Sequence, residues 1–199
     1  SGTTVTQIIV SDGRAIGVST DKTTYHAPIV VNCGGAWAGQ IGPHQFPARP
    51  VKGQMLSVIG GPNIRHVVRA PEVYLVPRSD GRLVIGSTLE LAGYDKRVDA
   101  DTIQRLHDAA VRLVPGLAQA RRHELWAGLR PGTPDELPFL GETSTPGYFV
   151  AAGHFRDGIL LTPITAQVMS QLVAGAKPDY DLAAFSPNRF HTLRESNRS

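Results

Sequence analysis

Arg130 and Arg156 each stand in a Gly/Pro-rich turn directly after an apolar, strand-like run. The first lies in Trp126-Ala-Gly-Leu-Arg-Pro-Gly-Thr-Pro-Asp-Glu-Leu-Pro-Phe-Leu-Gly141. The second lies in Gly153-His-Phe-Arg-Asp-Gly-Ile-Leu-Leu-Thr-Pro163. A guanidinium presents a planar fork of donors that suits a carboxylate or phosphate better than any other side chain. The second run also leads into a helix start, where unbonded N–H groups favour a negative ligand. Anion clamping is therefore the chemistry on offer. The chain has no G-x-S-x-G, no P-loop and no C-x-x-C, and His26, His44, His66, His107, His123 and His191 lack metal-ligand spacing.

The elements around these turns read as a mixed α/β (α+β) pattern. Residues 4–10 and 15–19 flank Ser11-Asp-Gly-Arg14 as a hairpin, and 27–32 is a short buried strand broken by Gly34-Gly35. Residues 55–59 form a further strand, and 73–77 and 83–87 flank Ser79-Asp-Gly81 as a second hairpin. An amphipathic helix is predicted over 101–114, capped by Asp99 or Asp101, with Ile103, Leu106, Ala110 and Leu113 on one face. Residues 124–129 and 148–152 read as strands, with Pro131 turning the chain after the first. The last helix should begin at Thr162 as N-cap with Pro163 at its first position, carry Ile164, Val168 and Leu172 on one face, and end at Gly175.

Composition narrows the function classes. The 199 residues carry a formal charge of +3 with no basic stripe, which argues against nucleic-acid binding. The content of 21 glycines and 15 prolines implies many tight turns. One cysteine, Cys33, allows no internal disulfide, fits a cytoplasmic setting, and at an apolar strand end reads as a buried structural thiol. No run approaches the roughly 18 apolar residues of a membrane span.

The two arginine runs, with Val30-Val-Asn-Cys-Gly-Gly-Ala-Trp-Ala-Gly39, Val51-Lys-Gly-Gln-Met55, Tyr74-Leu-Val-Pro-Arg78 and Gly81-Arg-Leu-Val-Ile-Gly-Ser-Thr88, resemble the C-terminal half of glycine oxidases, within the family of FAD-dependent D-amino-acid and sarcosine oxidases. The likeness covers roughly residues 5 to 186 in order. It implies an antiparallel-rich substrate-binding sheet with flanking helices plus the C-terminal part of a Rossmann-like FAD-binding domain. The implied division is 1–45 as the last strands of the FAD-binding domain, 46–130 as the substrate-binding domain, 131–180 as a return with the final helix, and 181–199 as a tail.

The resemblance also implies roles. Arg130 matches the arginine that binds the substrate carboxylate, and Tyr74 a tyrosine whose hydroxyl assists it. The plain alternatives are a surface arginine in a turn and a half-buried strand tyrosine. Arg156 matches an arginine beside the flavin in a Gly-His-[Phe/Tyr]-Arg-[Asn/Asp]-Gly loop, its alternative being an ion pair with Asp157 or Asp135. His154, Phe155 and Asp157 belong to the same flavin-contacting turn, and Gly158, Ile159 and Leu160 would turn backbone N–H groups toward the flavin. Val5, across a one-residue length difference, and Gly34 match contacts of the FAD domain.

The resemblance also counts Glu72 and Leu89 among the substrate-binding positions: Glu72 stands where glycine oxidases can have a histidine near the substrate, and Leu89 where a methionine is found. Gly128 occupies the place that corresponds to the FAD-attaching cysteine of monomeric sarcosine oxidases, so the FAD is expected to be non-covalent. The implied reaction is oxidation of glycine or a small D-amino acid, with oxygen or a quinone as acceptor and a place in thiamine synthesis. No G-x-G-x-x-G occurs in the 199 residues. That absence leads us to expect a fragment or one piece of a split enzyme, inactive and binding FAD weakly or not at all when alone, which self-associates or needs a missing N-terminal half.

Overall fold

The structure is a computed structural model that describes residues 2–44 and 46–190. His191 and the last residues of the expected tail lie outside the described residues. The chain divides into two compact units, Ser1–Pro50 with Arg130–Ser199, and Val51–Leu129. Secondary structure is mixed α/β, as the sequence pattern requires.

The first unit holds two three-stranded sheets. Strands β1 (Val5–Ser11), β2 (Arg14–Thr20) and β3 (Thr24–His26) form one, in that order. Its first turn is tight because Asp12 and Gly13 both take positive φ, 49° and 76°, the backbone of a primed hairpin turn. The other sheet runs β10 (Phe139–Glu142), β11 (Tyr148–Ala152), β4 (Val30–Asn32), with β11 and β4 parallel. Strand β11 is apolar throughout because both its faces are covered. Tyr148, Val150 and Ala152 pack with Ile8, Phe46 and Phe139, while Phe149 packs with Val168 and Met169 of helix α2 (Gly158–Val173). Gly34-Gly35 ends β4 as expected, but the chain then winds into a 3-10 helix, Gly35–Gln40.

Helix α2 departs from expectation at its start. It begins at Gly158 after Asp157, and Pro163 lies inside it. The Leu161 N–H already bonds the Asp157 carbonyl at 2.8 Å, and the Thr162 hydroxyl donates to the Gly158 carbonyl at 2.7 Å, so Thr162 is a helix residue and not a cap. Pro163 removes a bond to the Ile159 carbonyl, a cost softened because Ile159 is 94 % exposed and water reaches that turn. The predicted inner face is present: Val168 is buried, and Ile164 and Leu172 pack beside it.

Residues 182–190 do not trail away as a tail. Arg189 bonds Asp135 through Nε at 2.8 Å and Nη2 at 3.0 Å, donates to the Leu137 and Pro138 carbonyls, and lies 4.3 Å from the Phe139 ring centroid. This contact holds the Asp135 carboxyl down to about 2.

The second unit is a five-stranded sheet covered by one helix. Strands β5 (Arg49–Ile59), β6 (Val68–Arg69), β7 (Tyr74–Pro77), β8 (Leu83–Gly86) and β9 (Arg121–Gly132) stand in the order β6-β7-β8-β5-β9. Helix α1 (Ala100–Leu113) starts at Asp99, whose Oδ1 accepts the Thr102 N–H at 2.7 Å. Its Ile103, Leu106, Ala109 and Ala110 meet Leu56, Leu75 and Ile85 of the sheet. Leu113 is 39 % exposed and is replaced on the buried face by Thr102 and Ala109, because the last turn lies where the chain is already leaving toward Pro115. Strand β9 runs on through Pro131, which a strand at the edge of its sheet tolerates, so Pro131 does not turn the chain.

Candidate functional site

The first unit brings its glycine turns to one place. Strands β4 and β11 are parallel, with Val30 opposite Tyr148 and Asn32 opposite Val150, so the turns at Gly34 and Gly153 follow the carboxyl ends of neighbouring strands. In open α/β sheets that edge is where ligands bind. Gly34 is held by its N–H to Asn32 Oδ1 at 2.9 Å, and Asn32 Nδ2 donates to the Ala38 carbonyl and Tyr148 hydroxyl. A Cβ on Gly34 would come within 2.9 Å of Asn32 Oδ1.

The turn after β11 has a fixed shape. Gly153 takes φ 85°, and a Cβ there would lie 2.6 Å from Thr133 Cγ2. Phe155 takes φ 48° and donates its N–H to the Pro131 carbonyl at 2.9 Å. That single bond joins the Arg130 run to the Arg156 run, far apart in sequence. His154 Nε2 meets Thr165 Oγ1 at 3.0 Å, and burial lowers its pKa, so the ring stays neutral near neutral pH.

Arg156 is exposed, with its guanidinium 5.2 Å over the Phe155 ring. The alternative partner Asp135 is taken by Arg189, and among the described residues no ion pair joins Arg156 to Asp157. Arg130 is half-buried at the end of β9.

Helix α2 then starts with unspent binding capacity. Asp157 makes no side-chain cap, so the N–H groups of Gly158, Ile159 and Leu160 have no acceptor within the helix. Ile159 and Leu160 are 94 % and 78 % exposed, an apolar surface beside polar donors. That combination fits a flat conjugated ring carrying negative charge.

Other expected residues lie elsewhere. Val5 begins β1 in the separate three-stranded sheet, opposite Thr20. In the second unit, Tyr74 lies between Val73 and Leu75, both turned to α1, so its ring stands on the far face, with the hydroxyl 3.5 Å from Met55 Sδ. Glu72 is paired with Arg112 of α1 at 2.6 Å, on the helix side, so Tyr74 and Glu72 are not brought together. Leu89 is 53 % exposed beyond β8. Cys33 is exposed and not a buried thiol, because strand alternation turns Asn32 inward and Cys33 out. Among the described residues no cluster could hold a metal, and no helix is long and apolar enough to cross a membrane.

Comparison with known proteins shows the family. Residues 1–172 match the family model DAO, FAD dependent oxidoreductase. The chain belongs to the family of FAD-dependent oxidoreductases. It is 40 % identical over 197 residues to the bifunctional protein ThiO/ThiG of Synechocystis, covering 96 % of this chain and 30 % of that protein. It is 38 % identical over 188 residues to glycine oxidase of Pseudomonas putida, covering 92 % of this chain and 52 % of that protein. The crystal structure of glycine oxidase from Geobacillus kaustophilus superposes with a TM-score of 0.88 at 38 % identity, over 94 % of this chain and 52 % of that one. The chain thus spans about half the length of most of the flavoenzymes it matches, and less of the bifunctional one.

The Phe155-to-Pro131 bond had no sequence signal beyond the two glycine-punctuated runs, since nothing local marks a long-range backbone contact. Gly128, at the place of the flavin-attaching cysteine, has open space where a side chain would stand.

Proposed function

We propose that this chain is the carboxylate-clamping and flavin-facing portion of an oxidase acting on glycine or a small D-amino acid. The observation that carries this reading is the bond from the Phe155 N–H to the Pro131 carbonyl. It sets Arg130, near the end of β9, beside the turn that leads into the open start of α2. FAD, bound without a covalent link, supplies a ring that takes up two electrons and hydrogen from the substrate.

The chain's residues supply orientation and charge. Arg130 binds the substrate carboxylate through its fork, and the Tyr74 hydroxyl assists the same group. The N–H groups of residues 158–160 and the Arg156 guanidinium would favour negative charge on the ring when bound, and Ile159 and Leu160 would offer it apolar contact. Val5 and Gly34 serve the nucleotide half. His154 holds the turn to α2 and moves no proton. An amine that binds neutral needs no protein base. Losing hydride from the α-carbon and a proton from nitrogen leaves an imino acid, which water converts to a keto acid and ammonia. Oxygen takes the two electrons together with two protons and becomes hydrogen peroxide. We place this activity in the supply of thiazole for thiamine.

Because the chain spans half of related flavoenzymes, a second polypeptide segment carrying G-x-G-x-x-G completes the FAD site in our reading. The test is glycine-dependent bleaching of the flavin spectrum without oxygen, with this chain alone and with such a segment co-expressed. Bleaching that appears with the added segment and is lost in Arg130→Ala supports the reading. Bleaching indifferent to Arg130→Ala overturns it.

A further inference from the structure

The second unit buries a charged side chain where nothing in its core calls for one. Lys52, on β5, has a side chain only 5 % exposed. Its ammonium faces Glu90 Oε2 at 4.0 Å. Glu90 accepts from Gln54 Nε2 at 3.0 Å and 3.2 Å on its two oxygens, and from the Thr88 hydroxyl in a short bond. Gln54, 1 % exposed, spends its other end on the Asp99 N–H at 2.7 Å. Asp99 in turn caps α1. One network, buried at Lys52 and Gln54 and reaching the surface at Glu90 and Asp99, therefore ties β5, the segment after β8 and the start of the helix.

Backbone bonds alone already hold that segment. Lys52 and Glu90 exchange both N–H···O bonds at 2.9 Å, and the Thr88 hydroxyl accepts the Gln54 N–H at 2.8 Å. Backbone bonding is indifferent to register, however, since a slip by one residue would remake similar bonds. Such a slip reverses every side chain. Leu89 would turn toward Lys52, and the buried ammonium would lose its contact with Glu90, leaving only the more distant carboxylates of Asp95 and Asp99. An uncompensated buried charge is among the costliest defects in a fold. In the observed register Thr88 and Glu90 face β5, while Leu89 and Leu91 stand outward, 53 % and 73 % exposed.

We infer that Glu90, paired with the buried Lys52, is a positioning residue for substrate selectivity. It locks the register of residues 88–91 on β5 and so fixes Leu89 and Leu91 as an outward apolar wall. The selectivity half rests on the functional reading above and on the family resemblance, which counts Leu89 among the substrate-binding positions. The register half rests on the geometry alone. A preference for glycine over a larger D-amino acid is then set by the placement of this wall and not by its composition alone.

The test compares Glu90→Ala and Glu90→Gln with the parent by amide hydrogen exchange, then by selectivity in the active, FAD-supplied preparation described above. Glu90→Ala should speed exchange at Lys52, Glu90 and Asp99 by about tenfold or more, leaving Ile103 and Leu106 in α1 protected. Glu90→Gln keeps the acceptor oxygen for Thr88 and should recover most of the protection. In activity, Glu90→Ala should lower the ratio of kcat/KM for glycine to that for D-leucine by about tenfold, through KM and not through kcat for glycine. Unchanged exchange at residues 88–99, or exchange that rises equally through α1, overturns the register lock. Faster exchange with an unchanged glycine preference overturns the positioning role. A parent that oxidises no amino acid removes the functional reading and the selectivity half, while the exchange result still decides the lock.

Discussion

The open turn at residues 153–160 and the network around the buried Lys52 are opposite uses of polar groups. The turn leads to N–H groups at residues 158–160 that have no acceptor within the helix, and it leaves Ile159 and Leu160 bare. The network pairs Lys52, Gln54, Thr88, Glu90 and Asp99 among themselves. The first stores capacity to bind, and the second holds a shape. Substitutions in the two kinds of region should therefore separate stability from ligand affinity, and the turn's own anchors should behave like the network.

The largest effect is expected at Gly153. Its positive φ and the 2.6 Å approach of Thr133 to an added Cβ leave no room for a side chain. Gly153→Val should cost about 3 kcal/mol in urea unfolding and displace the turn. A cost below 1 kcal/mol would show that the turn is not held as described.

Next is Arg189→Ala, which removes the Asp135 pair and the cover on Phe139. A loss of about 2 kcal/mol is expected at neutral pH. The acid profile has a fixed sign. The Asp135 carboxyl is depressed to about 2 in the folded state, so its contribution is complete above the ordinary carboxylate range and is lost as pH falls toward 2. Parent and variant should converge in stability over that window, as thermal melts at descending pH would show. A constant gap down to pH 2 would assign the loss to packing alone.

Tyr148→Phe should cost about 1 kcal/mol, because the hydroxyl serves both the Ile41 carbonyl and Asn32. The smallest effect on stability is expected at Leu160→Ser, within about 0.5 kcal/mol, because the side chain is already in water. The same change should weaken FAD binding by about tenfold, measured by flavin fluorescence. A stability loss as large as that at Tyr148 would mean that Leu160 supports the fold and not a ligand.

The sequence made some of this legible and hid the rest for physical reasons. Strand β11, helix α1 with its Asp99 cap, and both hairpins follow from periodicity and turn residues, which are local signals. The start of α2 is not legible because Thr162-Pro163 is a good start signal on propensity, while the tertiary setting begins the helix at Gly158. The continuation of β9 through Pro131 depended on its edge position, which only topology reveals. Of the candidate site, the Arg156 turn was visible as a glycine pattern. Its junction with Arg130 through Phe155 was not, because a backbone bond carries no residue signature. The Lys52–Glu90 pair was equally silent, since burial of a lysine cannot be read from its neighbours in sequence.

The most direct measurement of the central claim is a titration of this 199-residue chain with FAD, followed by its visible spectrum, for the parent and for Leu160→Asp. The account predicts weak, saturable binding, as fits a chain without the G-x-G-x-x-G turn, and further loss on placing a carboxylate at the start of α2. Tight stoichiometric flavin, no binding at any concentration, or binding indifferent to Leu160→Asp would contradict it.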